Sequence, residues 1–265
     1  MAERIVLTGG SGDIASSLRP HLAAPGRRLV LLDLVPPAQP LQAAEEHVTA
    51  DVTDQTALEE AFAGADLVVH LAGHRSERPW PDIAAVNIGG TQAVLEAARR
   101  TGVRRVLLAS SIHAVGASRA VDVVDEVEPA PHPDTYYGVS KATVEALGRL
   151  YGSRSGMSVV AARIGTAQPA PASARALSTW LSPGDAARLV EAVARLEEPG
   201  GHVVWAVSAN TRRWVRHDAG AAVGFVPVDD AEAWAASLGD PDPLPMETLL
   251  GGAFTDDDHP VGGTW

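Results

Sequence analysis

The sequence predicts an α/β fold: a parallel sheet, doubly wound, with helices on both faces. Three features point to it. Short apolar runs without polar alternation recur along the 265 residues. Amphipathic segments separate them. The first run closes on a glycine turn, Gly9-Gly10-Ser11-Gly12. Apolar runs of this kind are strands buried on both faces, and strands alternating with helices pair in parallel through right-handed crossovers. Ligands of such sheets bind beyond the carboxyl ends of the strands.

Residues 4–8 (Arg-Ile-Val-Leu-Thr) read as the first buried strand, and 13–24 as the helix after the turn. Residues 28–33 (Arg-Leu-Val-Leu-Leu-Asp) form the second strand and 47–50 a short third, followed by a helix over 55–63. Residues 66–71 (Asp-Leu-Val-Val-His-Leu) form the fourth strand. A long helix spans 83–100, with Val86, Val94, Leu95 and Ala98 as its apolar positions. Strands at 103–110 and 158–164 flank a helix over 135–151, and a helix at 183–196 precedes a last strand at 202–207. Pro/Ala-rich stretches lie at 35–40, 129–133 and 167–174, and the last of these is placed to form a loop over the site. The segment from Asp240 is rich in Pro, Gly and Asp and reads as irregular, yet docked through Leu249, Leu250, Phe254 and Trp265.

Composition narrows the function classes. Apolar residues make up 46% and charged residues 20%, which is ordinary globular usage and excludes wholesale disorder. No apolar run reaches the ~18 residues of a membrane span. The first nine residues lack the apolar core and cleavage site of a signal peptide. The absence of Cys excludes disulfides, thiolate metal sites and a Cys nucleophile. The expected compartment is the cytoplasm. The net charge of −12 repels phosphate backbones, so nucleic acid is not an expected partner, and without a long apolar run neither is a membrane. An anionic small ligand needs a locally basic pocket. Of the 21 basic residues, 20 are Arg and one is Lys, at position 141. Arg cannot replace Lys where a compact ammonium with an adjustable pKa is required.

Gly9-x-x-Gly12-x-x-Ala15 stands between a strand and a helix. Gly9 permits the tight turn, and Gly12 lets the backbone approach a pyrophosphate at the helix N-terminus. Ala15 is small enough for helix–strand packing. Asp33 closes the second strand, 21 residues after Gly12, where a carboxylate binds ribose hydroxyls and repels a 2′-phosphate. Leu34 follows it in place of an Arg. Together these make a Rossmann-type dinucleotide site that favours NAD over NADP. The bland alternative is a generic glycine turn beside a strand-end Asp.

Tyr137-Gly-Val-Ser-Lys141 puts a phenol and the only ammonium side chain on one helix face. A nearby ammonium lowers a phenol's pKa, which would make Tyr137 a base near neutrality. Tyr136 is adjacent, but the spacing selects Tyr137. Ser110 and Ser111 end the fifth strand, where a hydroxyl near the Tyr can hold a reacting oxygen.

These motifs together resemble the extended short-chain dehydrogenase/reductases. More narrowly, Ser110-Ser111-x-His113, Tyr137-Gly-Val-Ser-Lys141, Arg163-Ile-Gly165, Leu177-Ser-Thr-Trp180-x-Ser182, Val203-Val-Trp205, Ser208-Ala-Asn210 and Gly251-Gly-x-Phe254 resemble uronate dehydrogenases, nearly end to end. The resemblance implies NAD-dependent oxidation of the C1 hemiacetal of glucuronate or galacturonate to an aldarolactone. It implies Tyr137 as base, Lys141 on the nicotinamide ribose and Ser111 on the reacting oxygen. Arg175 matches the Arg that binds the substrate carboxylate, a role suited to a bidentate fork. His113, Thr166 and Phe254 match other pocket positions. Asp13, Ile14, Leu34, Asp51, Val52, Leu71, Ala72 and Ile164 match positions lining the cofactor, and Asn87 one that braces the site. The implied organisation is one domain over 1–265, with 166–182 and 208–265 contributing the substrate pocket and tail. A homo-oligomer is the superfamily expectation.

Two positions depart from that pattern. Ile112 stands where the family commonly has Asn, and Arg75 where it has Ser. Both are expected at the substrate pocket, where they reshape it or admit another sugar or a sugar phosphate. An epimerase- or dehydratase-like enzyme and a non-catalytic NAD sensor are further alternatives. His70 and His74 straddle a strand end and a Gly, so no metal site is expected there. Asp256-Asp257-Asp258 reads as a solvated segment, and Arg212, Arg213 and Arg216 as a solvated face or a subunit contact.

Overall fold

Ile5, Val6 and Leu7 have no exposed surface. They occupy strand β1 (Glu3–Thr8), which pairs in parallel on both sides. In the computed structural model, which describes residues 3–265, the chain continues through α1 (Asp13–Leu22), β2 (Arg27–Asp33), β3 (Glu45–Thr49), α2 (Gln55–Phe62) and β4 (Leu67–His70). A continuous helical stretch follows: α3 (Trp80–Asp82), a π-helical run (Ile83–Gly89) and α4 (Gly90–Thr101). Then come β5 (Arg105–Ser111), α5 (Ala120–Val123), α6 (Tyr136–Arg154) and β6 (Ser158–Ile164). After these come β7 (Thr166–Ala167), α7 (Ala176–Thr179), β8 (Trp180–Leu181), α8 (Pro183–Ala194), β9 (Gly200–Ala206) and α9 (Asp218–Ala222), and then two 3-10 helices at Ala231–Leu238 and Gly252–Thr255.

Seven strands form one sheet in the order β3-β2-β1-β4-β5-β6-β9, parallel throughout. The order reverses between β1 and β4, and this switch point opens a crevice at the strands' carboxyl ends. Alternate residues of β1 feed opposite cores. Ile5 and Leu7 pack with Leu18, Leu22, Leu189 and Val193 under α1 and α8. Val6 packs with Leu58, Phe62, Val94 and Val144 under α2, α4 and α6. The chain after β9 adds nothing to the large sheet. It folds back instead, and Trp214 and Leu250 join Ile112, Val115 and Trp205 in a separate cluster. Leu249 pairs with Arg119 in an isolated antiparallel bridge.

The doubly wound sheet is the expected one, with shifted borders. α1 stops at Leu22, because Ala24 precedes Pro25 and a residue before proline disfavours the helical region. α6 runs on to Arg154, with Thr135 as its N-cap accepting the Gly138 N–H at 3.0 Å. β9 starts two residues earlier than expected, at Gly200. Gly201 lies under α6, and a β-carbon there would collide with the Arg149 backbone. The π-helical run has no counterpart in the sequence pattern. It places Asn87 toward the interior, and π-bulges recur at functional sites. Among the described residues, no helix is long and apolar enough to cross a membrane.

Candidate active site

A cleft of about 690 Å³ lies at the switch point, within the range of ligand pockets. Gly9 forms its floor with φ +69°, and a β-carbon there would come 2.7 Å from the Ala72 backbone nitrogen. A β-carbon on Gly12 would sit 3.3 Å from the Gly9 carbonyl. Gly12 caps α1 without a side-chain hydrogen bond, so the first N–H groups of α1 are free to meet an anion. Asp13 and Ile14 line the cleft beside it. Asp33 is held at the end of β2: Oδ2 accepts the Ser11 N–H at 3.0 Å, and Oδ1 the Leu34 N–H at 2.7 Å. Asp51 and Val52 follow β3, Leu71 and Ala72 follow β4, and Ile164 ends β6; all line the cleft, as does Leu34. Bare glycine turn, free helix N-terminus and strand-end carboxylate fit a dinucleotide, the turn and helix its diphosphate and Asp33 its ribose.

Tyr137, Lys141 and Ser111 meet at the inner end of this cleft, each less than a tenth exposed. Tyr137 and Lys141 lie one turn apart on α6, with the Lys141 Nζ 5.3 Å from the phenol ring centroid. That ammonium donates to the Ala109 carbonyl at 2.7 Å. The electrostatics correct one expectation. Burial pushes the Tyr137 phenol up, to about 12, and the hydrogen bond from Ser111 acts against that rise. Burial also draws Lys141 down, to about 8. Desolvation, with the nearby Asp134 charge adding to it, thus outweighs the Ser111 hydrogen bond, and the phenol lies above its ordinary range instead of near neutrality.

Asn87 braces the site from the π-helical run. Its Oδ1 accepts the His74 N–H at 2.8 Å, and its Nδ2 donates to the His74 carbonyl and to Ser140 Oγ, each at 3.1 Å. His70 is buried between the hydroxyls of Thr8 and Thr91, which occupy both ring nitrogens.

The remaining expected residues form a second wall. Phe254 stacks on His113 at 4.0 Å between centroids, and His113 meets the Tyr137 ring edge-on at 5.5 Å. His113 Nδ1 is 2.6 Å from the buried Asp134 carboxylate. Arg175 bonds Thr166 Oγ1 at 3.4 Å and the Leu250 carbonyl, while its Nε is buried without a partner. Among the described residues no carboxylate lies within ion-pair distance of Arg175, and burial pulls its pKa below the ordinary guanidinium value. Gly252, at φ +57°, leaves room for that side chain. Two residues sit elsewhere than expected. Ile112 is buried in the cluster of Trp205, Trp214 and Leu250, so its side chain packs in the core instead of lining the pocket. Arg75 lines the cleft but pairs with Asp13 at the start of α1, both highly exposed, which puts it at the dinucleotide end.

Three buried groups had no sequence signal: Asp134 behind His113, Glu145 paired with Arg163, and Glu77 under the first turn of α6. Each partner is distant in sequence or looks like ordinary surface charge. The arginines at 212 and 216 pair with Glu232 and Asp218 at the surface.

Residues 5–214 match the NAD-dependent epimerase/dehydratase family. The chain belongs to that family. Within it, the chain is 37% identical to uronate dehydrogenase of Agrobacterium fabrum, over 96% of this chain and 97% of that protein. It is 34% identical to the NAD-dependent glucose-6-phosphate dehydrogenase of Haloferax volcanii, over 87% of this chain and 95% of that one. Among solved family structures, a mutant uronate dehydrogenase from Agrobacterium tumefaciens complexed with NAD superposes with a TM-score of 0.87 at 36% identity. That match covers 98% of this chain and 99% of the other.

Proposed function

We propose that the protein is an NAD-dependent uronate dehydrogenase that oxidises the C1 hemiacetal of glucuronate or galacturonate to the aldarolactone. The single observation that carries the acid substrate is Arg175: a largely desolvated guanidinium that feels the Asp134 charge but has no carboxylate within ion-pair distance among the described residues, beside the wall of Tyr137. A cation largely withdrawn from water and held in no ion pair is costly, and an anionic ligand relieves that cost. Uronate dehydrogenases of similar sequence and structure support the same reading.

Gly9, Gly12, Asp13, Ile14, Asp33, Leu34, Asp51, Val52, Leu71, Ala72 and Ile164 would hold NAD, with Tyr137 and Lys141 at its nicotinamide end. Bound NAD supplies the hydride acceptor and a positive charge that favours a phenolate nearby. Tyr137 takes the proton of the C1 hydroxyl as the C1 hydride departs, leaving a carbonyl. Ser111 holds the reacting oxygen. Arg175 and Thr166 orient the carboxylate, and His113 and Phe254 shape the wall, so the segments 166–182 and 208–265 supply the substrate side. Incubation with NAD and either uronate should yield NADH by absorbance; no turnover with either acid refutes the reading. Tyr137→Phe should stop turnover while NAD still binds, and retained activity would exclude this base.

A second reading keeps the chemistry and changes the substrate to a sugar phosphate. The similarity to a glucose-6-phosphate dehydrogenase favours it. Comparing kcat/KM for glucose 6-phosphate and glucuronate separates the two.

A further inference from the structure

Glu77 lies in the loop between β4 and α3, and it has no exposed surface. Three backbone N–H groups donate to its carboxylate: Tyr137 at 2.7 Å on one oxygen, and Tyr136 at 3.1 Å and Gly262 at 2.7 Å on the other. Among the described residues, no side-chain cation lies within ion-pair distance of it. A buried carboxylate without a counter-ion persists only where charge-assisted hydrogen bonds and a favourable field replace water. Two of its donors are the first N–H groups of α6, where aligned peptide dipoles favour a negative charge.

The third donor comes from 185 residues away. Gly262 crosses the start of α6 closely: its φ is +79°, and a β-carbon there would come 3.2 Å from the Tyr136 ring. Three residues on, Trp265 meets Phe254 edge-on at 4.5 Å between centroids. Arg78, next to Glu77, adds a 3.4 Å hydrogen bond to the Trp265 carbonyl. Phe254 in turn stacks on His113, which faces Tyr137. One carboxylate thus ties the helix that carries Tyr137 to the segment that backs its aromatic wall.

We propose that Glu77 is a positioning residue that latches residues 259–265 onto the first turn of α6 and so sets the Trp265–Phe254–His113 wall that orients the sugar at Tyr137. The statement about the sugar rests on the dehydrogenase reading; the latch does not. Glu77→Gln offers one acceptor oxygen in place of two and cannot serve all three donors. Gly262→Val loosens the same contact from the other side, through a β-branched side chain at positive φ, without touching Glu77.

The test combines hydrogen exchange, calorimetric NAD affinity and steady-state kinetics with glucuronate, on both variants and on a protein lacking residues 259–265. Both substitutions should speed amide exchange across 259–265 and raise KM by about tenfold, the loss of roughly one charged hydrogen bond. NAD affinity and kcat should stay within about threefold, a split that a general loss of stability does not produce. Glu77→Gln on top of the deletion should add nothing to KM. The latch is wrong if Glu77→Gln leaves exchange in 259–265 unchanged, if that segment loosens with KM unaltered, or if the effects of Glu77→Gln and the deletion multiply. Should Glu77→Gln not fold, Gly262→Val and the deletion are judged by the same criteria. If the unmutated protein oxidises no uronate, the functional reading alone falls, and exchange across 259–265 still decides the latch.

Discussion

Arg163 grips Glu145 with two arms, 2.8 Å each, and both side chains are sealed from water. Glu145 lies one turn beyond Lys141 on α6 and also accepts the Ser110 hydroxyl at 2.7 Å. Arg163 further donates to the Pro129 carbonyl at 3.0 Å and lies over the Trp205 ring. The pair ties α6 to β5 and β6 directly behind the site. Removing one partner strands the other as a buried charge, so Glu145→Ala should cost about 3–5 kcal/mol in chemical denaturation. Glu145→Leu combined with Arg163→Met should recover most of that loss. A loss under about 1 kcal/mol for Glu145→Ala would show the pair to be no more than a surface-type contact.

Lys141 should be a stability liability retained for function. Its pKa falls from about 10.5 in the unfolded chain to about 8 in the folded one. Between those values the folded state holds fewer protons, so this group makes stability rise with pH through that window and lowers it below pH 8. Lys141→Met should therefore raise the denaturation midpoint at pH 7, by an amount on the order of 1–3 kcal/mol, while turnover is lost. The Tyr137 phenol works the other way at higher pH: its folded pKa of about 12 lies above the ordinary value of 10.0, so its contribution is lost as pH rises through that interval. A lower midpoint for Lys141→Met at pH 7 contradicts this account.

His70 should sharpen acid unfolding. Burial first, and the charge of Lys141 second, hold it down to about 3. Its contribution is present above the unfolded value of 6.5 and lost as pH falls toward 3, because only the unfolded chain takes the proton in between. His70→Gln should cost stability at pH 7 and flatten the decline between pH 6.5 and 4 in urea titrations. Parallel pH curves for the two proteins would rule the group out.

Arg175 should govern acid recognition rather than chemistry. Arg175→Lys keeps the charge but loses the planar fork, and should raise KM for glucuronate about tenfold. Arg175→Met should raise it about a hundredfold, since charged hydrogen bonds are worth roughly 1.5–3 kcal/mol. NAD affinity should not move in either variant. Unchanged KM in the Met variant would remove the carboxylate from this side chain.

The dinucleotide cleft was legible from short stretches of chain. Gly9 and Gly12 shape one turn, Asp33 ends the next strand, and Tyr137 and Lys141 share one helix face. Strand periodicity, turn conformation and an i,i+4 spacing are settled by a few neighbouring residues, so the order of amino acids suffices to state them. Burial and long-range pairing are not local. The phenol's upward shift, the core placement of Ile112 and the pairing of Arg75 with Asp13 follow from which surfaces meet when sheet and helices close. Glu77 was invisible for the same reason: in Arg-Ser-Glu-Arg it reads as loop charge, and only packing removes its water and brings Gly262 to it. Which residues could do chemistry was written along the chain, but desolvation, which sets how strongly they do it, is a property of the assembled interior.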